Sequence, residues 1–588
     1  MKDPVFIFGI RKLPMTTNDS LFTQVRWSRL IAICEEQARS LLRASFSSMA
    51  GEAEDFGSAI FDRAGRLIAQ AESTGTVSIL YGLVRGVKHM LNKFPLENLE
   101  PGDVLIGNDP WLFSGHKYDV TVAAPIFFQG RMIGMTATCL HVPDVGGLGF
   151  GPSAKDSYEE GILIPIVKFL SAGRLNQDLI DFLNVNVRSS DQVVGDLMAQ
   201  VTANEVAGRK VVSSLEEFQE QDLERISKEI RQRTETALIE KLNQLPGGTC
   251  EYEARADVLG KEITVHCKLT LEKNQIQLDF AGTSPQVDKG VNCTLNVTTA
   301  FVVHALKCSL LPDVPNNDGF FVPIEVTAPE GCILNARWPA AVAARHMITT
   351  FVSSCVFGAL GRLKVESVIA ESAGRVIVVS RGMNSGGDEF VYTYPTRCGM
   401  GARPNSDGLS GHMFPGAVGT IPVEIVENNS PIFVLRKEFL CDSGGPGRYR
   451  GGCDQVVDFK VQCRDEASLA CMSERAQFPA RGVQGGFPGA RSQFIVNGEL
   501  SVDPKKTITV TDRDVITCSG GGGGGFYPPH TRDPDRVLAD VYDGIVSLEA
   551  AEKIYRVAIR PENLEIDWTE TKRLRDHTAE ENPRDFPG

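Results

Sequence analysis

Two short motifs of the form His-x-x-Asp, His116–Asp119 and His141–Asp144, begin 25 residues apart in the chain. Imidazole nitrogens and carboxylate oxygens at short spacing are the donors by which proteins hold divalent metal ions. A nitrogen and oxygen donor set without thiolate suits Zn²⁺, Mn²⁺ or Fe²⁺. The spacing therefore predicts a metal site. The alternative is that Asp119 and Asp144 only hydrogen-bond their neighbouring histidines in a turn.

The segment between the two motifs predicts the element that positions them. Val120 to Phe127 is rich in β-formers, Gln129 and Gly130 are typical of a turn, and Met132 to Leu140 reads as a returning strand. Neighbouring antiparallel strands lie about 5 Å apart. A hairpin of this kind would therefore bring His116, Asp119 and His141 together at its open end.

Asp55 is a candidate for a further ligand in the same domain. It opens a second predicted hairpin, in which residues 62 to 65 form the turn. A carboxylate at such a place is equally explained as a turn or capping group. Spacing alone leaves both interpretations open.

Composition and charge exclude several classes of protein. The net charge of −14 and the lack of a basic run argue against a nucleic-acid binder. No run reaches the roughly 20 apolar residues that a membrane span needs. The 14 cysteines form no CxxC pair, which argues against a zinc ribbon or a disulfide framework. We expect a cytoplasmic protein from a reducing compartment.

The pattern of elements predicts a mixed α/β, or α+β, chain of several domains. Residues 1–245 are expected to form an α/β metal-binding domain that ends in one long helix, Ser214 to Leu245. Residues 246–530 alternate in the manner of antiparallel strands, with a buried helix predicted from Pro339 to Leu360. Residues 531–588 are expected to form a small helical cap followed by a charged, loose tail from about residue 560.

Other motifs for catalysis are weak. The glycine run Gly520–Gly525 lacks the Gly-Lys-Ser/Thr of a phosphate-binding loop, and we interpret it as structural rather than as a mobile lid. No serine elbow or cysteine nucleophile with a histidine partner is apparent. Arg345, His346, Arg403 and His412 lie in unusual surroundings. These side chains either contact a substrate or partner or are buried, satisfied polar groups.

Several longer motifs occur in a collinear order across nearly the whole chain, and with them the sequence resembles the hydantoinase B/oxoprolinase family. They include the two His-x-x-Asp motifs and five further segments: Tyr158–Pro165, Phe280–Pro285, Pro339–Ala343, Gly399–Pro404 and Asp442–Gly452. The resemblance implies one subunit of a two-part, ATP-dependent enzyme. It further implies a hydantoinase A-type partner that phosphorylates the substrate carbonyl, in a heterotetramer or larger assembly.

The same resemblance implies roles for individual residues. His116, Asp119 and His141 would bind the metal with Asp55 as a fourth ligand, and Asp144 would orient a ligand or act as a base. The implied reaction is hydrolysis of a cyclic amide whose carbonyl the partner has phosphorylated. A subunit of a ketone carboxylase of the acetone or acetophenone type is the alternative, and a noncatalytic scaffold for the partner is a third.

One departure from the family pattern bears on the substrate. Many members carry histidines after the Gln-Ala that ends the first hairpin, but here Gln70 and Ala71 are followed by Glu-Ser-Thr-Gly-Thr-Val. The sequence therefore does not specify which ring or ketone is the substrate.

Overall fold

The computed structural model describes residues 17–258, 260–416, 418–500, 503 and 505–578. Its helices run along the chain as α1 (Thr17–Ala44), α2 (Ser48–Gly51), α3 (Val77–Lys93), α4 (Gln177–Asn186), α5 (Ser190–Phe218), α6 (Glu224–Gln244), α7 (Leu295–Leu310), α8 (His346–Arg362), α9 (Val423–Asn429), α10 (Pro534–Tyr542), α11 (Leu548–Lys553) and α12 (Trp568–Thr578). Within the described ranges, no helix combines the length and apolar character needed to cross a bilayer.

The strands belong to several separate sheets. They are β1 (Phe56–Asp62), β2 (Leu67–Gln70), β3 (Val104–Gly107), β4 (Asp119–Phe128), β5 (Arg131–His141), β6 (Val167–Ser171), β7 (Arg174–Leu175), β8 (Gly248–Val258), β9 (Lys261–Leu271), β10 (Ile276–Asp279), β11 (Ile324–Thr327), β12 (Val376–Asn384), β13 (Glu389–Thr396), β14 (Ile432–Phe439), β15 (Gln455–Val461), β16 (Cys463–Ser473), β17 (Gln493–Val496), β18 (Glu499–Leu500), β19 (Thr507–Val510), β20 (Ile516–Ser519), β21 (Ile559–Arg560) and β22 (Glu565–Ile566).

The first sheet carries the predicted hairpins and has the order β2-β1-β5-β4-β3-β6-β7. All its neighbouring strands run antiparallel. Helices α1 and α5 pack on one face and α3 on the other, so alternate residues such as Val122 and Ala123 enter two different apolar cores. Because both faces of the sheet are covered, every residue of β1 is buried.

The remaining sheets follow in chain order. One has the order β11-β10-β9-β8 and is covered by α7 and α8, and the next two have the orders β13-β12-β16-β19 and β14-β15-β20-β17-β18. The elements from α10 to β22 enclose a small core of their own around Val537 and Tyr555. The mixed α and β architecture predicted from the sequence is thus confirmed. The predicted domain boundaries stay predictions, and one apolar cluster continues across residue 245.

Three predicted elements differ from the observed ones. The helix predicted from Ser214 to Leu245 is broken, because Gln219 adopts a left-handed conformation (φ 55°) that ends α5 before α6 begins. The helix predicted from Pro339 begins at His346, and the residues before it form an irregular segment. The tail expected from residue 560 is ordered as β22 and α12, and the part beyond Thr578 lies outside the described residues.

The glycine run Gly520–Gly525 is buried, in agreement with its predicted structural role. Backbone N–H groups of Gly523 and Gly524 donate to the carbonyl oxygens of Gly452 and Glu371. A Cβ atom added to Gly523 would lie 2.0 Å from the carbonyl oxygen of Met400. The run therefore consists of glycine because neighbouring backbones pass too close for any side chain.

Candidate metal centre

The β4–β5 hairpin places two of the predicted ligands opposite each other. Asp119 is the first residue of β4, His141 is the last residue of β5, and the two form a register pair. His116 lies in the turn that leads into β4. The backbone N–H of His141 donates to the carbonyl oxygen of Asp55 (3.0 Å), which brings the start of β1 alongside. The local geometry expected from the sequence is therefore present.

His116, Asp119 and His141 form a compact, buried cluster. The Nε2 atom of His116 and the Nδ1 atom of His141 lie 2.7 Å and 3.1 Å from the same Oδ1 atom of Asp119. One potential ligand atom from each residue falls within 4.8 Å of the other two. Donor atoms of three side chains at such separations match the spacing of ligands around one metal ion.

The protonation of His116 makes the cluster suitable for a cation. Its Nδ1 lies 3.0 Å from the carbonyl oxygen of Ala343, which can only accept, so Nδ1 carries the proton. Burial and the nearby Arg345 lower the pKa of His116 to about 4, so the ring is neutral at pH 7 and Nε2 presents a lone pair. Among the described residues this Nε2 has no hydrogen-bond partner, although Asp119 is close. The lone pair of His116 Nε2 thus faces the carboxylate oxygen Oδ1 of Asp119, as two ligands of one cation do.

Arg345 maintains the negative charge of Asp119. Its Nη2 donates to Oδ2 of Asp119 and its Nε to the carbonyl oxygen of Ser114, both at 2.8 Å. Burial alone would raise the pKa of Asp119, but the positive charges of His116, in the protonated form that it adopts at acid pH, and of Arg345 outweigh it and hold that pKa well below the usual range. Oδ2 of Asp119 is therefore held by the guanidinium, and Oδ1 is directed to the histidines.

Asp55 lines the same cavity as the cluster. Its Oδ1 is buried and finds no hydrogen-bond partner in the described part of the chain, and burial raises its pKa, an effect that His141 partly offsets. A buried carboxylate oxygen without a partner is costly unless a cation or a proton satisfies it. The position of Asp55 and its unsatisfied Oδ1 fit a fourth metal ligand, and this role stays a prediction.

Asp144 is not brought to the cluster. Both of its carboxylate oxygens are held by Arg188, whose backbone N–H lies 2.7 Å from Oδ2 and whose Nη1 lies 2.9 Å from Oδ1. Arg188 also donates to the carbonyl oxygen of Gly147, so this ion pair fastens the glycine loop after β5. The two motifs that look alike in the sequence thus place their aspartates in different surroundings.

The cavity beside the cluster is small, about 20 Å³, and enclosed by segments far apart in the sequence. The ring of Phe150 packs against His141 with a centroid distance of 5.0 Å and shields the cluster from solvent. The remaining residues that line the cavity are Met49, Thr76, Ser78, Arg345, His346, Arg375, Ile377, Thr393, Pro395 and Val418. The sequence marked Arg345 and His346 as unusual, but it carried no signal for Arg375.

The sequence also indicated His346, Arg403 and His412 as candidates for contact with a substrate or partner. His346 lines the cavity, its Nε2 has no hydrogen-bond partner among the residues that the structure describes, and burial together with Arg375 holds its pKa far below the usual value. Arg403 and His412 do not line this cavity, and a guanidinium nitrogen of Arg403 donates to the carbonyl oxygen of Asp407. The structure thus adds a neutral imidazole to the cavity wall.

Comparison with known proteins identifies the family. The family model described as hydantoinase B/oxoprolinase matches residues 19–529. The chain belongs to the hydantoinase B/oxoprolinase family. The B subunit of a putative D-/L-hydantoinase from a Pseudomonas species is 27% identical over 95% of this chain and 98% of its own length. The beta subunit of the caprolactamase from Pseudomonas jessenii is 26% identical over 93% of this chain and 97% of its own length.

Two solved structures share the fold of this family member. The ATP-dependent caprolactamase of Pseudomonas jessenii superposes with a TM-score of 0.85 and 24% identity, over 95% of this chain and all of that chain. Acetone carboxylase superposes with a TM-score of 0.86 and 19% identity, over 97% of this chain and 84% of that chain. The architecture of the whole chain is therefore an established one.

Proposed function

We propose that this chain is the metal-dependent subunit of an ATP-dependent cyclic amide hydrolase. Support comes from family membership and from full-length similarity to one subunit each of a putative hydantoinase and a caprolactamase. The observation that carries the proposal is the approach of the buried Nε2 of His116 to Oδ1 of Asp119 at 2.7 Å, while Nδ1 of the same ring faces the carbonyl oxygen of Ala343. That arrangement is explained by a cation that both atoms bind.

His116, Asp119 and His141 would hold a divalent ion, with Asp55 as a fourth donor. Zn²⁺ and Mn²⁺ suit these donors, as does Fe²⁺. When bound, such an ion supplies Lewis-acid chemistry: it polarises a carbonyl group and lowers the pKa of water. A resonance-stabilised amide resists hydrolysis, so prior phosphorylation of its oxygen would make the ring carbon more electrophilic.

The residues around the cluster prepare it for this chemistry. The carbonyl of Ala343 fixes the tautomer of His116, and Arg345 keeps Asp119 ionised. Phe150 and the apolar side chains Ile377 and Val418 limit the access of bulk water. A low local dielectric strengthens the interactions of charged groups within the cavity. These features favour attack on an activated substrate by a water molecule held in place.

The phosphorylation step is assigned to a separate ATPase subunit. The hydantoinase and caprolactamase relatives are each named as one subunit of a larger enzyme, and the caprolactamase is described as ATP-dependent. The sequence of this chain contains no phosphate-binding loop with the Gly-Lys-Ser/Thr motif. We therefore propose a hydantoinase A-type partner in a heterotetramer or larger assembly, located in the cytoplasm.

Reconstitution with the partner ATPase tests the proposal. The two chains together should open a cyclic amide, with ATP consumption, and chelation of divalent metal should abolish ring opening. His116→Ala should remove both metal and ring opening, whereas His89→Ala, at a half-buried position of α3 outside the cavity lining, should change neither. Ring opening at an unchanged rate in metal-free protein would refute the metal-dependent mechanism, and a scaffold would be indicated if His116→Ala left the activity of the complex intact.

A role in a ketone carboxylase is the second candidate. It is favoured by the match to acetone carboxylase over nearly the whole fold. The two reactions differ in their requirement for bicarbonate, because a carboxylase consumes it and a hydrolase does not. ATP turnover by the complex that depends on bicarbonate and a ketone would establish the carboxylase and exclude the hydrolase.

A further inference from the structure

Arg375 is a buried cation on the wall of the cavity, and the described residues offer it no ionic partner. It immediately precedes β12, and the residue is 8% exposed. Its Nε has no hydrogen-bond partner, and no carboxylate of the described residues comes within ion-pair distance of its guanidinium. Arg345 and Arg475 are buried and paired, with Asp119 and Glu371, whereas Arg397 is buried without an ion pair among the described residues but does not line the cavity. An unpaired charge in the interior is expensive, so its place in the cavity calls for an anion.

Two carboxylates lie near Arg375 without neutralising it. Asp55 faces the cluster across the same cavity and is the proposed fourth metal ligand. Glu474 is buried, both of its oxygens lack partners in the described part of the chain, and burial raises its pKa to about 8 against the opposing effect of Arg375. Burial thus favours the neutral form of Glu474, and a neutral carboxyl group does not compensate the charge of Arg375.

The charge balance of the cavity also indicates an anionic ligand. Its lining holds two carboxylates, Asp55 and Asp119, and two guanidinium groups, Arg345 and Arg375. These four charges cancel, so a divalent ion bound by the cluster leaves an excess of two positive charges. A ligand that carries negative charge restores the balance in this enclosed space.

The surroundings of Arg375 leave space for a flat guanidinium and offer additional donors. A Cβ atom added to Gly416 would lie 3.0 Å from Cζ and 3.1 Å from Nη2 of Arg375, and 3.0 Å from Cγ of Met413, so a side chain at residue 416 would crowd the guanidinium. The hydroxyl-bearing residues Thr76, Ser78 and Thr393 line the same cavity. A guanidinium fork matches the geometry of phosphoryl and carboxylate oxygens, and hydroxyl groups in the same cavity can donate to further oxygens.

We propose that Arg375 is the anion-binding residue of this cavity and that the substrate carries an oxyanion group, phosphoryl or carboxylate, when it reaches the metal cluster. This inference rests on the proposed function and specifies its substrate class. The phosphoryl group would come from the partner ATPase, and the carboxylate would belong to the ring itself. In both cases Arg375 binds oxygen atoms that take no part in bond cleavage.

Binding of small probes to the full-length, metal-loaded chain tests this assignment. The probes are inorganic phosphate, 5-oxoproline and 2-pyrrolidone, the uncharged counterpart of 5-oxoproline, each titrated by calorimetry. We expect Arg375→Met to weaken phosphate or 5-oxoproline binding at least about tenfold and to leave 2-pyrrolidone binding and metal content unchanged. The affinity of Arg375→Lys for the same anion should lie between those of wild type and Arg375→Met, because lysine keeps the charge and loses the guanidinium fork.

Gly416→Ala provides a second, gentler variant in case Arg375→Met does not fold. Its methyl group would displace the guanidinium and should weaken binding of the same anion, and the bound metal should stay. Loss of phosphate binding alone would assign Arg375 to the phosphoryl group, and loss of 5-oxoproline binding alone to the carboxylate. Anion binding that is absent from the wild type, or equal in wild type and folded variants, would overturn the proposal.

The two proposals fail in different ways. Absence of bound metal and of ring opening in the wild-type complex would reject the hydrolase function, whatever the anion measurements show. Metal binding and ring opening that persist in Arg375→Met with an unchanged KM for an anionic substrate would reject the role of Arg375 alone.

Discussion

Asp119 and His141 face each other across the open end of the β4–β5 hairpin, with Nδ1 of His141 3.1 Å from Oδ1 of Asp119. The pairing is a direct result of strand register, because a slip by one residue would turn one of the two side chains to the opposite face of the sheet. The cluster therefore depends on the most regular part of the fold, and such positions hold ligands more precisely than loops do.

Asp119→Asn and Asp144→Asn form a matched pair that separates the two motifs. Asp119→Asn should lower metal affinity at least about tenfold, because it removes the charge that His116, His141 and Arg345 surround. Asp144→Asn should retain the metal, since Asp144 is bonded to Arg188 instead. Metal content after dialysis measures both. Equal metal loss in the two variants would contradict the assignment.

Glu160 is expected to position His116 through the backbone. Its Oε1 accepts the N–H groups of Val342 and Ala343, both at 2.6 Å, and the carbonyl of Ala343 in turn accepts from His116. Glu160→Ala should weaken metal binding about tenfold or more, whereas Glu160→Gln keeps an acceptor oxygen and should weaken it less. Competition with a fluorescent chelator measures both affinities. Wild-type affinity in Glu160→Ala would exclude this positioning role.

The ion pairs of Glu371 should make stability depend on pH. Burial alone would raise the pKa of Glu371, but Arg475 and Arg481 outweigh it and lower the pKa. Its contribution is therefore complete above the unfolded pKa near 4.3 and is lost as pH falls through the lower folded pKa. Glu371→Gln should cost about 3 kcal/mol near pH 7, because two guanidinium groups lose their counter-charge.

Thermal unfolding of wild type and Glu371→Gln at several pH values checks this account. The difference in Tm should stay constant from pH 8 to about 5 and shrink below about pH 4. A matched control is Glu549→Gln, which removes an exposed pair with Lys553 and should change Tm little. A difference in Tm between wild type and Glu371→Gln that grows toward acid pH would contradict this account.

The buried glycine run should tolerate no side chain. Gly523→Ala would place its Cβ 2.0 Å from the carbonyl oxygen of Met400, so we expect a loss of about 3 kcal/mol or more, or insoluble protein. Gly51→Ala is the control, since nothing lies within 4 Å of a Cβ there. Soluble yield and Tm measure both. A Gly523→Ala protein as stable as wild type would show that the run is not packed as described.

Local patterns were sufficient to predict that His116, Asp119 and His141 lie together, but not the cavity around them. His116, Asp119 and His141 are linked by one hairpin, so their spacing and the strand pattern place them together. Arg345 and Arg375 reach the same place from segments more than 200 residues away, which no local periodicity encodes. The role of Asp144 was inferred from the family resemblance, and its surroundings depend on Arg188, a contact that sequence spacing could not reveal.

The differences between the predicted and the observed helices have identifiable structural causes. The segment from Pro339 to Arg345 has an apolar, helix-like composition, but Glu160 binds its N–H groups at Val342 and Ala343 and the chain does not enter a helix before His346. The break between α5 and α6 rests on a single left-handed residue, Gln219. Tertiary contacts of this kind override helix propensity without leaving a mark in the pattern.

Anomalous X-ray scattering from crystals of the purified chain, recorded at the edges of zinc, manganese and iron, tests the central claim most directly. We predict one strong peak about 2.0–2.3 Å from Nε2 of His116 and from a carboxylate oxygen of Asp119, with His141 as a further ligand. No peak at this position, in crystals grown with each of the three metals, would contradict the account.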